Sequence, residues 1–202
     1  MRTRARVLRK RQEIPSGHDP SRYVTRRLMA KAEDGELVPV SLLVRADLAG
    51  KGPLPLLLYG YGSYGTSIPA AFNANRFSLV DRGFAYAIAH IRGGTDKGWH
   101  WYEDGKLQHK PNTFADFVAA ARHLVAVEWT DERRIIAQGG SAGGLLMNGD
   151  KRQARRYHWH SHGLASFVDA PHSAIDGPEQ GEIVNLTDRR ADRSRSAQLD
   201  LL

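Results

Sequence analysis

Three apolar runs in the middle of the chain predict buried strands. They cover residues 54–59, 84–91 and 134–138, and glycine follows each run within two residues. None of the runs alternates regularly between apolar and polar positions. Continuous runs of this length are typical of strands that are buried on both faces, as in a parallel sheet.

Helical spacing of apolar residues appears between these runs. The clearest case precedes the third run, and a weaker signal covers residues 72–80. We expect Asn112 or Thr113 to cap the longer helix, because Asp116 stands three residues after Thr113, as in a capping box. The apolar positions of that helix are Phe114, Phe117, Val118, Ala121, Leu124 and Val125. The alternation of strands and helices predicts an α/β fold with right-handed crossovers.

A hairpin is predicted before the first run. Residues 23–31 and 38–44 flank a turn that contains Asp34-Gly35, a strong short-range hairpin signal. Pro39 lacks the N–H group that a ladder needs. We therefore expect this hairpin at an edge of the sheet.

Charge and cysteine content narrow the classes of protein. The 202 residues carry a net charge of +7, but residues 1–31 contain ten lysines and arginines against only two acidic residues. We expect a solvated linker there and no nucleic-acid or membrane partner, with a transit peptide or a basic arm that binds RNA or membrane as the alternatives. The absence of cysteine excludes disulfides and a thiol nucleophile and is compatible with a cytoplasmic location.

The turn after the third run carries the chemistry. Gly139-Gly140-Ser141-Ala142-Gly143 fits the G-x-S-x-G pattern, in which small residues let a serine stand on a sharp turn between a strand and a helix. The apolar run before it and the sequence that starts at Ala142 are suited to that strand and that helix. We interpret Ser141 as a nucleophile, and a purely structural glycine turn is the alternative.

A serine nucleophile of this kind needs two donors for an oxyanion. The first is the backbone N–H group that follows the serine, here that of Ala142. The loop after the first run, residues 60–65, is rich in glycine and tyrosine. A tyrosine hydroxyl there is a candidate for the second donor, and a loop that only packs is the alternative.

Six motifs occur in order along the chain: Tyr59–Gly65, Asn75-Arg76 with Asp81–Gly83, Ile91–Gly94, Trp101–Lys106, Asn112–Phe114 and Gly139–Gly144. Together they resemble the prolyl oligopeptidase family of serine peptidases, and within it the oligopeptidase B group. The resemblance covers residues 7–147, about 70% of the chain. It implies a partial α/β-hydrolase domain in which Ser141 is the nucleophile and Tyr61 and Ala142 bind the oxyanion. It also implies cleavage of short peptides after Arg or Lys, with no cofactor and no metal.

Departures from the family define three segments. We expect residues 1–36 to be a basic linker and edge hairpin, residues 37–147 to be the partial catalytic domain, and residues 148–202 to be a divergent tail, out of frame or disordered. The family's β-propeller precedes this region, and its triad Asp and His lie farther downstream than residue 202. The propeller and the C-terminal half are therefore partners that the chain is expected to need.

The resulting hypothesis is a serine endopeptidase of the oligopeptidase B kind that is inactive as given. A base must lie within about 3 Å of the serine oxygen, and no pattern places His158, His160, His162 or His172 there. These histidines are the alternative bases, and His158, His160 and His162 are an alternative metal cluster. Asp96, Glu103 and Asp104 are candidates for binding a basic side chain, or else solvated carboxylates. A non-catalytic remnant that binds peptides or a partner is the alternative function.

Overall fold

The computed structural model describes residues 7, 9–10, 13–14, 17–148 and 158–160. The side chains of Asn148 and of residues 158–160 are outside this description. The described residues belong to one compact unit, Met1–Ala165. None of the helices within the described ranges is long and apolar enough to cross a membrane.

The described part of the chain contains a mixed six-stranded sheet. Its strands are β1 (Tyr23–Lys31), β2 (Leu37–Arg45), β3 (Leu56–Tyr59), β4 (Ala85–Ala89), β5 (Ile135–Gln138) and β6 (His158–His160). Their order across the sheet is β1-β2-β4-β3-β5-β6. The strands β4, β3, β5 and β6 are parallel, whereas β1 and β2 form an antiparallel hairpin beside β4. The three predicted buried strands and the hairpin are confirmed.

The hairpin lies at an edge of the sheet, as expected, with β1 outermost and Pro39 in β2, the second strand. The carbonyl oxygen of Pro39 accepts from His90 N at 2.9 Å, so the missing N–H group would also have faced His90. The indole Nε1 of the fully buried Trp101 donates to His90 O at 3.0 Å instead. A side-chain donor thus satisfies the carbonyl that a proline leaves without a ladder partner.

Within the described ranges the sheet is accompanied by four α-helices: α1 (Ala74–Val80), α2 (Trp99–Glu103), α3 (Lys110–Ala126) and α4 (Ala142–Asn148). Helix α3 packs against β1, β2 and β4, and its buried side chains Phe117, Ala121 and Leu124 join the core. Helix α1 contacts β4 and β2.

The predicted capping box of α3 is wrong. The helix begins at Lys110 with Pro111 in its first turn, and His109 at the N-cap makes no side-chain capping bond. Thr113 and Asp116 therefore lie inside the helix. The Thr113 hydroxyl donates to Gly105 O at 3.1 Å, and the Asp116 carboxylate accepts from Arg92. These distant partners replace the local reciprocal bonds that the spacing suggested.

Candidate active site

Ser141 stands on a strained turn between β5 and α4. Its φ angle is +54°, in the left-handed region that is costly for any residue with a Cβ atom. The side chain is exposed to solvent. A serine that is held in this conformation between a strand and a helix has the geometry of a nucleophile elbow.

The three glycines around Ser141 differ in how much space surrounds them. A Cβ atom added to Gly139 would collide with the carbonyl of Gly143. One added to Gly143 would lie 3.0 Å from Gly60 O and 3.6 Å from Tyr61 Cδ2. Gly140 faces open space. The first and last glycines are therefore required because backbone segments pass close to them, and Gly140 is not.

Gly139→Ala is expected to lower the free energy of unfolding by about 2 kcal/mol or more, because the clash is with backbone and not with a mobile side chain. Gly140→Ala is the matched control and is expected to cost less than about 0.5 kcal/mol. Urea unfolding of the 202-residue chain, followed by circular dichroism, measures both. Equal losses in the two variants would contradict the assignment of the close approach to Gly139.

The structure brings Tyr61 close to the elbow. Strands β3 and β5 are parallel neighbours, and their last residues, Tyr59 and Gln138, are paired. Gly60 N continues this ladder by donating to Gln138 O at 3.0 Å. The loop after β3 therefore emerges beside the loop after β5, and a Cβ atom added to Gly143 at the start of α4 would lie 3.7 Å from Tyr61 Cα.

Ala142 is placed as the other candidate donor. It is the first residue of α4, and the first N–H groups of a helix have no intrahelical acceptor. No carbonyl within the described ranges accepts from Ala142 N, while Gly143 N and Gly144 N donate to Gly140 O and Ser141 O. This N–H group is available to an oxyanion that forms at Ser141.

Lys110 anchors the loop that carries Tyr61, a role that the sequence analysis missed. Its Nζ donates to Gly62 O at 2.5 Å and to Ser63 Oγ at 2.9 Å. Burial lowers the pKa of this lysine. The only feature of the sequence that points to Lys110 is its position two residues before the Asn112-Thr113 motif.

A buried ion pair between Arg92 and Asp116 lies next to the loop that carries Tyr61. The Arg92 guanidinium, 4% exposed, donates to both carboxylate oxygens of the fully buried Asp116 at 2.6–3.1 Å. It also donates to Asp34 at 2.5 Å. Burial opposes the charge of Arg92, but these hydrogen bonds raise its pKa further above its usual value. The next residue, Gly93, contacts the backbone of Gly62, so the pair helps to position the Tyr61 loop.

The candidate carboxylates have different environments. Asp96 is hydrogen-bonded to His90 at 2.9 Å and is nearly buried, so it does not offer a free charge. Glu103 and Asp104 are exposed at the end of α2, and Lys106 lies 3.8 Å from Glu103. The adjoining Gly105 packs against Arg92 and Gly93. Glu103 and Asp104 therefore lie on the same group of loops as Tyr61.

Ser141 lacks a general base within the part of the chain that the structure describes. No described histidine is hydrogen-bonded to its hydroxyl, and no group of three metal-ligating side chains is found among the described residues. The four histidine candidates of the tail lie outside the description, apart from the backbone of His158 and His160 in β6. The elbow and two candidate oxyanion donors are thus assembled without a described base.

The sheet order and the elbow define a partial α/β-hydrolase catalytic domain. A family model described as the prolyl oligopeptidase family matches residues 70–159. This part of the chain is therefore similar to a family of serine peptidases. The match extends past Met147, the last residue to which the sequence motifs extended the resemblance.

Relatives with known names agree with this assignment. Dipeptidyl aminopeptidase BI of Pseudoxanthomonas mexicana is 45% identical over 168 residues, which are 83% of this chain and 23% of that protein. Protease 2 of Moraxella lacunata is 42% identical over 66% of this chain and 19% of its own length. The structure of oligopeptidase B from Trypanosoma brucei, a closed form with covalently bound antipain, is 43% identical over 74% of this chain and 21% of its own, with a TM-score of 0.71. The chain thus spans about a fifth of the length of these relatives.

Proposed function

We propose that this chain is the nucleophile-bearing segment of a serine peptidase of the oligopeptidase B kind. The complete enzyme cleaves short peptides after Arg or Lys through an acyl-enzyme. The observation that carries the proposal is the strained, exposed Ser141 with Tyr61 and Ala142 beside it. The covalent antipain in the solved relative supports a covalent mechanism.

In the proposed reaction, Ser141 Oγ attacks the scissile carbonyl carbon and a histidine outside the described residues takes its proton. The carbonyl oxygen becomes an oxyanion between Ala142 N and the Tyr61 hydroxyl. The amine leaves with the proton from the histidine, and water then releases the acyl group by the same steps in reverse. The strained φ of Ser141 keeps its oxygen clear of the sheet throughout.

Preference for basic residues is supported by Glu103 and Asp104. Both carboxylates are exposed, and the loops that join them to Tyr61 pack through Gly105, Gly93 and Gly62. A cationic side chain of the substrate gains from two neighbouring negative charges when part of its water is displaced. The name of one relative, dipeptidyl aminopeptidase BI, supports a second candidate, in which dipeptides are removed from free N-termini.

A chimera tests the proposal. The matching segment of Protease 2 from Moraxella lacunata is replaced by residues 7–147 of this chain, and kcat/KM is measured on peptides with Arg or Pro before the scissile bond. We expect at least about a tenfold preference for Arg in peptides with a blocked N-terminus. The double variant Glu103→Gln, Asp104→Asn should lose that preference, and Glu33→Gln, at an exposed carboxylate on the hairpin, should keep it.

Three results of that experiment would contradict the proposal. Cleavage confined to unblocked peptides would favour the dipeptidyl peptidase. A preference for Pro would exclude the basic specificity. A folded chimera that binds peptide without hydrolysis, and without loss on Ser141→Ala, would favour the non-catalytic alternative.

A further inference from the structure

Away from Ser141, next to the β1-β2 hairpin, a serine, a histidine and an aspartate form a continuous chain of hydrogen bonds. Ser41 Oγ lies 2.9 Å from His90 Nε2, and His90 Nδ1 lies 2.9 Å from Asp96 Oδ1. Ser41 belongs to β2, His90 follows β4, and Asp96 belongs to the loop before α2. The order of the groups and the ring nitrogens used are those of a serine-hydrolase triad.

Arg27 is a fourth member of this array. Arg27 Nη1 donates to Ser41 Oγ at 2.7 Å, and a guanidinium has no acceptor to offer in return. The Ser41 hydroxyl therefore keeps its own hydrogen for another acceptor, and in the His90 tautomer with hydrogen on Nδ1 that acceptor is Nε2. In the same tautomer Nδ1 donates to Asp96, and Nε2 is the atom that would take the proton of the serine.

Only the serine end of the array reaches a cavity. His90 is 3% exposed and the Asp96 side chain 9% exposed, whereas Ser41 is partly exposed. Ser41 and Arg27 line a cavity of about 620 Å³, a volume suited to a small organic ligand. Phe72, Phe77 and Tyr86 form aromatic parts of its wall.

We propose that Ser41 is a second nucleophile, which accepts acyl groups from small esters of aromatic or other apolar acids. Ser41 Oγ forms a bond to the ester carbonyl carbon as its proton passes to His90 Nε2. The C–O bond to the alcohol then breaks, and the alcohol leaves with that proton. Water, deprotonated by His90, next attacks the acyl-serine and releases the acid, and the proton returns to Ser41.

Arg27 is the donor that this reaction has for its oxyanion. Its guanidinium already lies against Ser41 Oγ, and its five N–H groups allow it to bond the carbonyl oxygen as well. No backbone donor is free for this purpose on Ser41 itself, which is paired with Arg27 and Ile88 in the sheet. We therefore expect slow turnover, with acylation easier to detect than repeated hydrolysis.

The Ser41 site is independent of Ser141. Strands β4 and β3 lie between β2 and β5, and neither array shares a residue with the other. A test of Ser41 as a nucleophile therefore does not depend on whether Ser141 has the proposed peptidase function.

The test uses the full 202-residue chain with Ser141→Ala. It is treated with diisopropyl fluorophosphate, and the modified residue is located by peptide mass spectrometry. We expect modification at Ser41, its absence after Ser41→Ala, and a rate at least tenfold lower after Asp96→Asn. Ser78→Ala is the matched control, because the Ser78 hydroxyl is exposed and donates only to Asn75 O.

Hydrolysis of p-nitrophenyl acetate by the same variants provides a second readout. We expect release of nitrophenol to persist in the Ser141→Ala chain and to disappear after Ser41→Ala, with unchanged circular dichroism. No modification at Ser41 in a folded Ser141→Ala chain would overturn the proposal and leave the array a structural one. Equal modification of Ser41 with and without Asp96→Asn would also overturn it.

Discussion

The 202-residue chain alone is expected to hydrolyse an arginine-containing peptide at least about 10⁴-fold more slowly than oligopeptidase B from Trypanosoma brucei. Its candidate nucleophile stands on the elbow beside the candidate oxyanion donors, but no histidine within the described residues is hydrogen-bonded to Ser141. A serine hydroxyl without a base is a weak nucleophile, and loss of one triad member costs this much or more in serine peptidases. The comparison is of kcat/KM on one blocked peptide under identical conditions.

Ser141→Ala is the control for this expectation. If the serine is not activated, the substitution should change the residual rate by less than about threefold, because binding and the oxyanion donors supply what remains. A rate within a hundredfold of the complete enzyme, lost on Ser141→Ala, would contradict the expectation. It would show that a histidine outside the described residues serves as the base.

The sequence was most informative for structural features that depend on residues close together in the chain. Continuous apolar runs that are followed by glycine placed β3, β4 and β5, and small residues around Ser141 placed the elbow. These features depend on neighbours in the chain, so their spacing reveals them. The loop of Tyr61 lies beside the elbow because parallel strands bring their carboxyl ends to one edge, and the order of β3 and β5 in the sheet was not predicted.

Contacts between distant residues could not be found in this way. Asp116 looked like a capping residue because its local spacing allowed it, but Arg92, 24 positions earlier, binds its carboxylate. Pro39 correctly indicated a hairpin at the edge of the sheet, but nothing in the sequence shows that Trp101 donates to His90 O beside it. In both places a tertiary hydrogen bond takes the place of a capping or backbone bond.

Asp116→Ala is expected to lower the free energy of unfolding by about 3 kcal/mol or more. The substitution leaves the Arg92 guanidinium buried beneath the Tyr61 loop with Asp34 as its remaining carboxylate partner. Removal of one partner of a buried ion pair costs about 3–5 kcal/mol, because the other charge stays out of water. Urea unfolding at pH 7 measures the loss, and little dependence on salt is expected since the pair is shielded from solvent.

Asp34→Ala is the matched control, because it removes the other carboxylate from the same arginine. The Asp34 side chain is 45% exposed, so its loss is expected to cost no more than about 1 kcal/mol. Equal losses for the two variants, or a loss below 1 kcal/mol for Asp116→Ala, would contradict the central role of the buried pair. The pair is also expected to position the Tyr61 loop through Gly93 and Gly62. Asp116→Ala in the Protease 2 chimera should therefore lower kcat more than it raises KM. Asp34→Ala in the same chimera should change neither kcat nor KM appreciably.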